Sequence, residues 1–115
     1  MNALEYANEP AIRAVIDTGE RVAQAMLHVA TLEDGRALAK ADAIRRLMEQ
    51  PNAETGKMHS ASSAEKIVES DAEYAAYRAR QREVEVEKHR AWAAYEAAKL
   101  NAQLVIGMRV AGIGR

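Results

Sequence analysis

Pro51-Asn52-Ala53-Glu54-Thr55-Gly56-Lys57-Met58-His59-Ser60 is the stretch on which the reading of this chain turns. Proline and glycine punctuate it, and asparagine, threonine and serine supply side chains that bond their own backbone in turns. On both flanks Ala, Leu, Glu, Lys and Arg dominate, residues that lose little freedom on entering a helix. The chain therefore reads as all-α: a long antiparallel helical hairpin closed by one ordered connector, over 51–61.

Towards the N-terminus, Pro10 suits a first helical turn, where its missing N–H leaves no bond unmade. Apolar residues recur as Ile12, Val15/Ile16, Val22/Ala23, Met26, Val29/Ala30, Ala37, Ala41, Ile44 and Met48. Steps of three and four predict one amphipathic helix over about 9–50. Gly19 and Gly35 lie inside it, each costing about 1 kcal/mol against alanine, and a bend is expected near Gly35. Pro51 stops the helix, since the residue before a proline avoids helical geometry.

Towards the C-terminus, Thr55-Gly56 predicts a turn with Gly56 at positive φ. Ser62-Ser63-Ala64-Glu65 and Ser70-Asp71-Ala72-Glu73 both have the Ser-x-x-Glu spacing of a capping box. They predict a short helix over about 63–69 and a long one over about 71–106. Gly107, Gly112 and Gly114 mark a flexible tail, 107–115, and 1–8 reads as loose. The whole chain, 1–115, is taken as a single helical domain.

The long second helix carries two apolar seams, because Val84 and Val86 point about 200° apart on a helix. One seam comprises Tyr74, Tyr77, Val84, Ala91, Tyr95, Ala98, Ala102 and Val105. The other comprises Ala79, Val86, Ala93, Ala97, Leu100 and Leu104. One can pack on the first helix, and the other then needs a further partner. Alanine-rich helices also bury little apolar area per residue. Both points predict a homo-oligomer, with a dimeric helical bundle of coiled-coil type the expected form.

The formal net charge is −1, with both signs interspersed, so no domain-wide field for nucleic acid or an anionic membrane exists. Cysteine is absent, which removes disulfides and thiolate metal sites. Glu5, Glu9 and Arg13 break the apolar run a secretory signal would need, and Leu104-Val105-Ile106-Gly107-Met108 is too short to span a bilayer. A cytoplasmic protein without membrane association is expected.

Catalytic constellations are sparse. Gly56-Lys57 resembles part of a phosphate-binding loop, but Pro51 and Met58 stand where that loop needs glycine and a hydroxyl residue. Glu85 and His89 share a helix face, yet two ligands are fewer than a metal site requires. His59 has no local acid or nucleophile and is expected to hydrogen-bond the loop or the nearby cap. Arg78, Arg80, Arg82, Lys88 and Arg90, near Tyr74, Tyr77 and Trp92, form a candidate nucleic-acid surface. Glu83, Glu85 and Glu87 among them favour a salt-bridged solvated face instead.

The hairpin resembles the small secreted WXG-type proteins in architecture alone, since Trp92-Ala93-Ala94 lies within a helix and not in the turn. A nearer resemblance rests on Pro51-Asn52, Thr55-Gly56-Lys57, His59-Ser60, Ser63-Ala64-Glu65 and Asp71-Ala72-Glu73-Tyr74. This string resembles small uncharacterised helical proteins encoded by bacteriophages and prophages, over the central part of the chain. Met58 stands where that segment would carry proline, which loosens the turn. The resemblance implies a phage accessory role with no assigned activity.

The sequence thus predicts a non-enzymatic protein–protein interaction module, homo-oligomeric and without cofactor or metal. Partner recognition is expected at Thr55, Gly56, Lys57, His59 and Ser60 in the connector, the sequence-rich loop of a simple scaffold. A nucleic-acid-binding accessory protein of phage recombination or replication is the alternative.

Overall fold

The computed structural model describes residues 9–112, and the expectations for 1–8 and for 113–115 lie outside them. Two long helices, α1 (Pro10–Met48) and α3 (Ala72–Val110), flank a short helix α2 (Ala61–Lys66) and a single 3₁₀ turn, Val68–Ser70. No strand occurs among the described residues beyond one isolated antiparallel bridge, Pro51 to Met58. The all-α hairpin of two long helices packed together is therefore the observed fold.

The helix ends follow their local chemistry. At the start of α1 the Glu9 carbonyl accepts from the Arg13 N–H at 2.7 Å. At its end Arg45 and Arg46 complement the negative pole of the helix. The Glu49 and Gln50 N–H groups then close tight turns on the carbonyls of Arg46 and Leu47 before Pro51.

Between α1 and α3 two caps differ from the expected boxes. Ser60, not Ser62, caps α2: its Oγ accepts from the Ser63 N–H at 3.1 Å. Asp71, not Ser70, caps α3, its carboxylate accepting from the Tyr74 N–H at 2.9 Å. Asp71 displaces Ser70 because its carboxylate is also held by Arg46, which fixes it at the helix start. The short helix accordingly begins and ends earlier than 63–69. At the other end α3 runs through Gly107 to Val110, past the expected stop at 106. Gly112, at φ +74°, takes the left-handed turn that follows.

The described residues form two compact units, 9–28 with 85–112, and Val29–Val84. In the second unit Ala43, Leu47, Ala64, Val68 and Tyr74 make the core, with Ala39 and Ile44 packed against it. Tyr74 is 1% exposed and is the largest side chain of this core. In the first unit Ala11, Val22 and Ala102 are buried, and the Tyr95 ring lies 3.5 Å from where a side chain on Gly19 would begin.

Gly35 does not break α1, which is one helix across it; the glycine makes room. A Cβ there would stand 2.7 Å from the Tyr77 hydroxyl. That hydroxyl donates to the Leu32 carbonyl on the facing helix. The buried amide of Gln81 also approaches that carbonyl, at 3.5 Å, and accepts from Arg78 at 2.6 Å.

The expected stripe on α1 holds at Ile12, Val15, Val22, Val29 and Ile44 and fails at Met26, which is exposed, and in the alanine-rich stretch between Val29 and Ile44. Ala37, Ala41 and Met48 are exposed, while Ala39, Ala43 and Leu47 face inward. Alanine is the reason: it occurs on every face of this stretch, so its spacing marks none. The first seam of α3 is inward throughout, with Tyr74, Val84 and Ala102 buried and Tyr77, Ala91, Tyr95, Ala98 and Val105 half-buried. The second seam is exposed at each of its six residues, from Ala79 to Leu104.

Candidate functional site

The connector is a small closed loop. The Asn52 N–H donates to the Lys57 carbonyl at 2.6 Å, and the Gly56 N–H returns to the Asn52 carbonyl at 2.7 Å. The Asn52 side chain accepts from the Glu54 N–H at 2.9 Å, a local turn in which asparagine substitutes for backbone. The Thr55 hydroxyl accepts from the Lys57 N–H at 3.3 Å. Gly56 sits at φ +69°, as its place in the turn requires, with open space where a side chain would be.

These bonds divide the expected recognition residues by role. His59 is half-buried, and its Nδ1 shares a hydrogen bond of 2.8 Å with the Ser63 hydroxyl. Ser60 is committed to the α2 cap and Thr55 to the loop. Gly56 supplies conformation. Lys57 therefore presents the one outward cationic side chain of the five, and Met58 beside it is 63% exposed. Met58 was missed because a single exposed apolar residue leaves no periodic signal in sequence.

Below the connector lies an ion-pair cluster that sequence spacing does not disclose. Arg46 reaches Asp71 through Nε at 3.1 Å and Nη2 at 2.7 Å, a two-pronged contact, and Glu73 through Nη1 at 3.1 Å. Asp71 is 8% exposed. The Arg46 guanidinium holds its carboxyl below the usual carboxylate range; the backbone N–H groups of Tyr74 and Glu73 assist, and burial opposes them. Ala39, Asp42, Arg46, Glu73, Tyr74 and Tyr77 line a cavity of about 150 Å³ there. Drug-sized ligands occupy sites of about 300 Å³ or more, so this one suits water or a small ion. The cluster is structural in character, since its charges already satisfy one another.

The basic residues of α3 are not brought to one surface. Arg80 points about 200° from Arg78, and Arg82, four positions from Arg78, returns to the Arg78 face. Arg78 is tied to Gln81, Arg80 pairs with Glu83 at 3.1 Å, and Lys88 pairs with Glu85 at 2.9 Å. Arg82 and Arg90 are exposed. Glu85 thus engages Lys88 and not His89. Among the described residues no group of three or more His, Asp or Glu side chains is arranged to hold a metal ion. None of the described helices is long and apolar enough to cross a membrane.

The other prominent surface is the second seam of α3. Leu100 and Leu104 are 62% and 67% exposed, and Val86 is 47% exposed. Water-facing leucines spaced four apart, with Ala93 and Ala97 continuing the same face, form an apolar strip over 93–104. Comparison with known protein families, with characterised proteins and with solved structures gave no match to this chain. What it does must be argued from these surfaces.

Proposed function

We propose that the protein is a non-enzymatic helical interaction module, homo-oligomeric in solution and phage- or prophage-derived. The observation that carries this reading is the division of α3 into two seams, one inward and one exposed at every position. A helix apolar on two sides buries one on its neighbour and leaves the other for another chain. The connector adds an internally hydrogen-bonded loop whose outward side chains, Lys57 and Met58, are available to a partner protein. The phage origin rests on the resemblance of the connector string alone.

Nucleic-acid binding is the second reading, supported by the exposure of Arg82 and Arg90 and weakened by the pairing of Arg78, Arg80 and Lys88. Light scattering, with and without a mixed-sequence single-stranded oligonucleotide at low salt, separates the two. A mass of two chains or more that ignores the oligonucleotide is the expected result. A mass that rises with oligonucleotide and falls back at high salt would replace the first reading with the second.

A further inference from the structure

We infer that the exposed face of α3 is a self-pairing surface, and that two copies meet along it in antiparallel fashion about a two-fold axis near Lys88. The inference rests on the interaction-module reading and specifies its geometry. Val86, Ala93, Ala97, Leu100 and Leu104 are all exposed, and steps of three and four place them on one strip of the helix. The same spacing continues backwards to Ala79, Ala76 and Ala72, which are also exposed. Two charged residues interrupt the strip, Glu83 and Arg90, one heptad apart.

Those two charges choose the orientation. In a parallel, in-register pair Glu83 would face Glu83 and Arg90 would face Arg90, and like charges in a seam repel. A parallel pair shifted by one heptad removes that clash but has no two-fold axis, so it leaves unsatisfied strip at both ends. An antiparallel pair that sets Ala79 opposite the second copy's Ala97 brings each Glu83 within about 4.5 Å, along the axis, of the opposing Arg90. Within one chain Glu83 has an exposed ion pair with Arg80, and such pairs contribute little.

Shape agrees with charge. The same register sets Ala76 against the second copy's Leu100, and Ala72 against its Leu104. The small half of one strip therefore receives the large half of the other, as interdigitating layers require.

The chain has no cysteine, so introduced thiols report alone. Ala79→Cys and Ala97→Cys proteins, one carrying a mass tag, are oxidised separately and as an equal mixture, with solution mass measured on unmodified protein. The antiparallel pair predicts a two-chain mass and disulfides between tagged and untagged chains in the mixture, with neither variant linking to itself. A two-chain mass with Ala79→Cys linked to itself would overturn the antiparallel pairing and leave homo-oligomerisation standing, as would a two-chain mass with no link in any sample. A one-chain mass at the highest concentration would overturn both.

Charge reversal gives a second readout on full-length protein. Glu83→Arg should raise the dimer dissociation constant about tenfold or more, since the two-fold axis counts the new repulsion twice. Adding Arg90→Glu should recover most of that loss. Failure of the second change to rescue the first would remove the charge pairing on which the register depends.

Discussion

Replacing Gly35 by alanine should destabilise the protein, against the ordinary expectation for a helical glycine. Alanine gains about 1 kcal/mol in a helix interior over glycine. At this position, however, the new methyl group would lie 2.7 Å from the Tyr77 hydroxyl, well inside contact distance. The hydroxyl cannot swing aside freely, because it sits on a rigid ring and donates to the Leu32 carbonyl. Moving it forfeits a hydrogen bond of about 1 kcal/mol and strains local packing by about 1–3 kcal/mol. Setting these against the helix gain leaves a net loss of about 1–3 kcal/mol.

Gly19 is the internal control. Its nearest neighbour would be Tyr95 Cε1 at 3.5 Å, an ordinary contact, so Gly19→Ala should stabilise by about 0.5–1 kcal/mol. Tyr77→Phe removes the obstructing oxygen and leaves the ring carbon that carried it, at 3.8 Å, as the nearest atom. In that background Gly35→Ala should turn stabilising by up to about 1 kcal/mol, giving a coupling of about 2–4 kcal/mol. Urea unfolding followed by circular dichroism, at one fixed protein concentration for all, measures every variant. Equal stabilisation by Gly19→Ala and Gly35→Ala would refute the close approach of Tyr77 to α1. So would an effect of Gly35→Ala that the Tyr77→Phe change leaves unaltered.

Other consequences are direct. Asp71→Ala should cost about 2 kcal/mol, combining a lost helix cap with a lost charge-assisted contact to Arg46. Because the folded carboxyl is held below its ordinary value, its contribution is fully present above about pH 4 and is lost as pH falls through the folded value. Asp71→Asn should therefore show a flatter stability profile than the wild type in acid; parallel profiles would contradict the assignment. Gly56→Val forces a β-branched residue to φ +69° and should cost about 1–2 kcal/mol. An unchanged melting curve would show that the turn relaxes. Ser60→Ala removes the α2 cap and should cost about 1 kcal/mol, whereas Ser62→Ala should cost little, the reverse of what the capping-box spacing predicts.

Much of the architecture is legible because its signals are local. Pro51, Thr55-Gly56 and the helix-forming flanks define the hairpin, and the tyrosines and valines of α3 are large enough to mark an inward face. The inward register of α1 between Val29 and Ile44 is not legible, because alanines at 37, 39, 41 and 43 fit any face equally well. Capping shows a different failure. Ser-x-x-Glu spacing occurs at Ser62 and Ser70, but Ser60 and Asp71 form the caps, and Asp71 is fixed by a second contact from its surroundings. The Asp71 contact spans 25 positions to Arg46, and no pattern along one helix can reveal it. Asp71 was nonetheless recoverable as a residue type favoured at helix starts.

In the connector, the turn and the positive φ of Gly56 follow from composition. The division of labour within it does not. That Thr55, His59 and Ser60 hold the loop and the α2 start is not legible until their hydrogen bonds to Lys57, Ser63 and the α2 backbone are seen. Lys57 and Met58 are then left facing outward.

Sedimentation equilibrium on the wild type and on a Leu100→Glu, Leu104→Glu variant tests the exposed α3 face most directly. Both leucines are more than half exposed in the single chain, so glutamate there should leave the helical signal of the hairpin intact. The wild type should sediment as two chains and the variant as one, each with the same circular dichroism per residue. A wild type that sediments as one chain, or a variant that keeps the wild-type mass, would contradict the conclusion that this face is built to be covered.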